Sequence, residues 1–128
     1  MQRLRSILGL LAGAFMILSS AAHSLLGWKA LSAALRQSQA PEDLITSLGI
    51  GWHFAGFAML GFGCILVAVF VRRLRGAAVS PTPAIVIGVT YVAFSVWALA
   101  VGEFDPFFLV FLVPGLMALI ASAPGGKS

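Results

Sequence analysis

Two histidines and four carboxylates are the groups in this 128-residue sequence with the widest chemical reach: His23, His53, Glu42, Asp43, Glu103 and Asp105. Imidazole and carboxylate together ligate zinc, copper or nickel, and two facing imidazoles can hold the iron of haem b from either side. The histidines reach one level if the segments carrying them are antiparallel helices. His23 stands roughly 24 Å along a helix from Ile7, and His53 roughly 27 Å from Val71, at 1.5 Å per residue. His53 falls between Gly49 and Gly56 on a helical face, and His23 shares a face with Ala12, Met16, Ser19 and Ser20, so both imidazoles are expected to look inward. This predicts three alternatives. His23 and His53 form a haem axial pair, or they join Glu103 and Asp105 in a metal or proton site. In the plainest alternative they are structural, hydrogen-bonded at a membrane interface between Trp28 and Trp52. Neither H-x-x-x-H nor H-E-x-x-H is present, so the spacing is no metal signature.

The elements that must position these groups are written in the gaps between charges. Residues 6–28, 44–71, 76–102 and 106–126 contain no Asp, Glu, Lys or Arg. A bilayer core about 30 Å thick needs about 20 apolar residues of helix, with every main-chain polar group bonded internally. Composition agrees, at 60% hydrophobic, 9% charged and a mean hydropathy of +1.04. An ordinary soluble domain is excluded. The expected fold is an all-α integral membrane protein, an up-and-down bundle of four transmembrane helices forming a single domain, with spans at about 5–27, 44–72, 83–101 and 106–123.

Arg3, Arg5, Arg72, Arg73, Arg75 and Lys127 fall on one side of those spans, while Lys29, Arg36 and all four acids fall on the other. The positive-inside rule then predicts both termini in the cytoplasm. Compactness suggests a bacterial inner membrane. The net charge of +4 is accounted for by topology, so nucleic acid is not an expected partner. Arg3, Arg5, an apolar run and Ser20, Ala21 and Ala22 also fit a cleavable signal peptide. Apolar character continuing through Leu25 and Leu26 argues for a first span instead.

Within the spans, glycine marks the expected packing seams: Gly9 and Gly13 in the first, and Gly49, Gly56 and Gly63 every seven residues in the second. Gly27 is expected to end the first helix. Trp28, Leu31 and Leu35, set against Lys29, Ser32 and Arg36, predict a short amphipathic helix lying on the surface in the first outer loop. Pro41 with Glu42 and Asp43 opens the second span; Pro83 opens the third; Asp105 and Pro106 cap the fourth. Pro114 is expected to kink that last helix, and the tail from residue 124 onward to be without structure.

Absences narrow the function. One cysteine, Cys64, allows no internal disulfide or C-x-x-C redox pair, and the first span holds no carboxylate for proton-coupled export. No Ser-His-Asp set or phosphate-binding glycine loop is present. The expectation is a non-enzymatic protein, either a subunit or accessory of a larger membrane assembly or homo-oligomer, or a binder of a lipid-like small molecule. The alternatives are a haem or metal redox protein using His23 and His53, and an oligomeric transporter or channel.

Overall fold

The structure, a computed structural model, describes residues 1–123. Those residues form helices joined by short turns, with no strand. Helix α1 (Gln2–Ala22) passes through a π turn (His23–Gly27) into α2 (Trp28–Gln37), then come α3 (Glu42–Leu74) and α4 (Thr82–Val101). A 3-10 turn (Pro106–Phe108) leads into α5 (Leu109–Ser122). Three helical runs are long and apolar enough to cross a membrane: Gln2–Gln37, Glu42–Leu74 and Thr82–Val101. The shorter apolar run is Pro106–Ser122. The tail predicted to be without structure lies outside the described residues.

Gly27 does not end the first helix. Ala22, His23, Gly27 and Trp28 all keep right-handed helical dihedrals, so one 36-residue run continues to Gln37. The reason is tertiary. Helix α2 packs on the start of α3, and its half-buried residues, Trp28, Leu31, Ser32 and Leu35, include the apolar face that the sequence assigned to a membrane surface. A glycine stop signal is a weak preference beside such packing. The reversal at residues 38–41 needs a left-handed Gln39, and Pro41 then caps α3.

The α1–α2 run and α3 thus make an antiparallel hairpin, and glycines set its spacing. A Cβ on Gly13 would stand 2.9 Å from the Gly63 carbonyl oxygen, and one on Gly63 would stand 2.7 Å from the Gly13 oxygen and 3.0 Å from the Ile17 nitrogen. Main chain meets main chain there, and neither can yield as a flexible side chain could. Farther along, a Cβ on Gly9 would enter the Phe70 ring, one on Gly56 would overlap the Ser24 hydroxyl, and one on Gly49 would press on the Trp28 indole.

A second hairpin pairs α4 with α5, again across glycines: Gly88 opposes Gly115 and Leu119, and Gly115 opposes Gly88 and Tyr91. Helix α5 runs through Pro114, which has no N–H for the Val110 carbonyl. The turn before it is tight. Glu103 and Phe104 both take left-handed dihedrals, Ser95 Oγ donates to the Phe108 oxygen at 2.8 Å, and the Phe107 N–H donates to Asp105 Oδ1 at 2.8 Å. The hairpins join through α1, which packs on α3 and on α5. Ala12, Met16, Leu66, Phe70, Ile87, Tyr91 and Ala118 meet in the shared core. At the opposite end, Arg73 donates to the Ala121 oxygen at 2.8 Å and Arg5 to the Ala123 oxygen at 3.1 Å. Helices α3 and α1 thereby supply cations to the unpaired carbonyls ending α5.

Gly63→Ala should lower unfolding stability in detergent by about 1–3 kcal/mol through overpacking. Gly61→Ala, on the same helix with nothing within 4 Å, should leave the midpoint unchanged. Equal midpoints for the two variants would refute main-chain contact at the seam.

Candidate functional site

His23 sits where the helix changes pitch. Its N–H reaches the carbonyls of both Ser19 and Ser20, and its own carbonyl takes the Trp28 N–H five residues on. This looser turn leaves that carbonyl open to a second donor. Trp52 on α3 supplies it: the indole Nε1–H donates to the His23 oxygen at 2.8 Å. In return His23 Nε2 lies 3.1 Å from the Trp52 carbonyl oxygen. A carbonyl only accepts, so Nε2 is the donor in this contact. The two rings stack with centroids 4.2 Å apart and planes 4° from parallel. Two hydrogen bonds and a ring stack therefore bind the π turn to α3, each contributing about 1 kcal/mol.

His53 takes a different role. Its imidazole meets the Trp28 indole edge to face at 5.7 Å, and Trp28 in turn lies 6.4 Å from Trp52. A chain of rings, His23, Trp52, Trp28, His53, thus connects the imidazoles. That arrangement does not suit a porphyrin: His23 has one face covered by Trp52 and its Nε2 given to a carbonyl. The acids stay apart. Glu103 and Asp105 are exposed, Asp105 serving as the cap described above, and Arg36 with Glu42 forms a solvent-facing pair at 3.9 Å. Among the described residues no three His, Cys, Asp or Glu side chains gather closely enough to hold a metal ion.

Beside the clamp lies a groove of about 240 Å³. Its walls include Ala55, Met59 and Phe62 of α3, Tyr91 and Phe94 of α4, and Phe111 of α5, with His23 at one end. It exists because α3 meets α4 only sparingly, while α1 and α5 are each packed closely on two neighbours. Ala55, Thr90 and Phe94 are exposed, so it opens sideways. Phe94 and Phe111 meet edge to face at 4.9 Å, and Tyr91 lies 6.3 Å from Phe62 and 6.0 Å from Phe111.

Tyr91 is 5% exposed, and its hydroxyl is the buried side-chain polar atom without a hydrogen-bond partner among the described residues. Such an atom costs about 1–3 kcal/mol of desolvation. Tyr91 is one of few polar residues in the middle of α4, with Thr90 and Ser95. That the hydroxyl stands alone depends on α5 and α3, and no local pattern carries it. The π turn also escaped prediction, since His23 to Gly27 reads as ordinary helix followed by a stop.

Trp52→Phe keeps the stack but removes one donor, and should lower stability by about 0.5–1 kcal/mol. His23→Ala should cost more. The double variant should fall short of the sum by at least about 0.5 kcal/mol, as coupled partners do. Strict additivity in detergent unfolding would show that the two residues act separately. Compared with protein-family models, with curated proteins and with solved structures, the chain finds no match.

Proposed function

We propose that this chain is a four-span integral membrane protein that binds a lipid-like small molecule in the groove between α3 and α4, without chemistry of its own. The observation that carries the proposal is the groove itself: an apolar, ring-lined cleft that opens sideways toward where acyl chains would lie. Pockets for small apolar ligands have this character, with few polar groups and largely preformed walls. Its volume suits one ring and a short chain segment better than a whole phospholipid.

The topology goes with it. The 3-10 turn and α5 together form the fourth crossing. At 17 residues this is about 25 Å long, somewhat short for a hydrocarbon core of about 30 Å, and local thinning of the bilayer accommodates the difference. The α1–α2 run and α3 are about 54 and 50 Å long, so their tip, with Lys29, Arg36, Glu42 and Asp43, stands beyond the outer surface. Both termini and the arginine-rich turn after α3 face the cytoplasm, by the distribution of Lys and Arg.

A role as a subunit of a larger assembly is the second reading. It is favoured by Gly51 and Gly61, which face open space on the outside of α3, where a further helix could come close.

In a Cys64→Ala background, Ser38→Cys should react with a membrane-impermeant thiol reagent from outside intact cells, and Ser80→Cys only after lysis. The reverse pattern would invert the topology. A photoactivatable fatty acid in the bilayer should crosslink to α3 and α4 around Ala55 and Phe94, and Ala58→Trp should abolish that crosslink by filling the groove. Crosslinks spread evenly over all helices, unchanged by Ala58→Trp, would overturn the binding proposal. Migration as a complex larger than the lone chain after gentle solubilisation would support the subunit reading.

A further inference from the structure

Three polar side chains border the groove, and two of them already donate to main-chain carbonyls. Thr90 Oγ1 donates to the Val86 oxygen at 2.9 Å, and His23 Nε2 donates to the Trp52 oxygen. Tyr91 alone keeps a side-chain donor without an acceptor, and its ring forms part of the groove wall. Hydrocarbon cannot satisfy that hydroxyl. Whatever does must bring an acceptor and must bring few donors of its own, because the surrounding walls would strand them. A charged headgroup or a polyol fails this condition, whereas a carbonyl on an apolar ring meets it.

Resting on the groove-binding reading, we infer that the ligand is a membrane-soluble ring carbonyl of the quinone type, with its oxygen accepting from the Tyr91 hydroxyl. The walls fit a flat ring. Phe62, Phe94 and Phe111 line the cleft, and aromatic groups pair well in offset and edge-to-face arrangements. The space of about 240 Å³ holds a substituted six-membered ring, and the lateral opening leaves a hydrocarbon tail in the bilayer. Tyr91 lines the cleft but its hydroxyl is buried, so a ligand reaches that hydroxyl by displacing the side chains that cover it. Binding alone is inferred; no electron transfer is assigned to the protein.

The test uses the full chain in nanodiscs with two probes, a decyl-substituted benzoquinone and decylbenzene, which has the same tail and no carbonyl. The quinone should raise the unfolding midpoint of the wild type and bind Tyr91→Phe about tenfold more weakly, the range expected for one neutral hydrogen bond. Decylbenzene should bind both proteins alike. The infrared carbonyl stretch of the bound quinone should lie at lower frequency than in alkane, and this measurement needs only the wild type should Tyr91→Phe fail to fold. Equal quinone affinity for the two proteins, or an unshifted carbonyl band, would overturn the assignment to Tyr91 while leaving the groove as an apolar site. If neither probe binds the wild type in competition with the fatty-acid crosslink, the carbonyl class is wrong. If that crosslink is itself absent from the groove, the underlying reading fails with it.

Discussion

The contact between the main chains of Gly13 and Gly63 fixes how closely the two longest helices approach, and the rest of the bundle is arranged around that distance. In a bilayer, burying apolar surface supplies little drive for helices to associate, because lipid is as apolar as leucine. Close van der Waals contact has to do that work, and it needs small residues where axes converge. Once α1 is committed to α3 along one side, its remaining buried face accepts α5, and α4 follows through α5. Helix α4 therefore packs on α3 only incompletely. The groove is what remains where the ring of four helices is least tightly closed.

Some of the polar side chains inside this framework tie one element to another, while Ser6, Ser20 and Ser122 bond within their own helices. Ser95 secures the turn before α5, the His23 and Trp52 pair secures the π turn, and Arg5 and Arg73 secure the end of α5. Each spends its hydrogen bonds on a main-chain carbonyl that local helix geometry leaves available. This gives two of the arginines a structural task in addition to the topological one read from charge. It also makes Tyr91 the exception, a buried hydroxyl amid a set of committed ones.

Much of this arrangement was legible in the residues. Pro41 with two acids marked the start of α3, Pro83 lies at the start of α4, and Asp105 with Pro106 gave the cap before α5, because these signals act through the chain's own nearest amides. The seven-residue spacing of Gly49, Gly56 and Gly63 pointed to a seam for a similarly local reason: period alone places them on one face. What escaped the sequence depends on contacts between distant segments. Gly27 looked like a helix end until α3 was there to hold Trp28 in line. The acids near the histidines in depth looked available as ligands, yet depth says nothing about lateral position, and Asp105 is occupied with its own turn.

Counting buried positions along the first hairpin gives the π turn a further meaning. On α3 they fall at Ile45, Gly49, Gly56, Gly63, Leu66 and Phe70, which is an unbroken heptad rhythm. Across from it α1 buries Ser6, Gly9, Ala12, Gly13, Met16 and Ser20, a broader face because it packs on α5 as well as α3, and the half-buried Ser24, Trp28, Leu31 and Leu35 follow. The Trp28 N–H bonds five residues back, to His23, so this helix carries one residue more there than regular α-helical winding would hold. The π turn, with its wider winding, takes up that extra residue where it occurs and returns the following helix to phase. Insertions and deletions should accordingly be unequal in effect along this hairpin. Deleting one residue between 23 and 27 would restore an ordinary helical turn, but it would close the open carbonyl on which the tryptophan clamp is built.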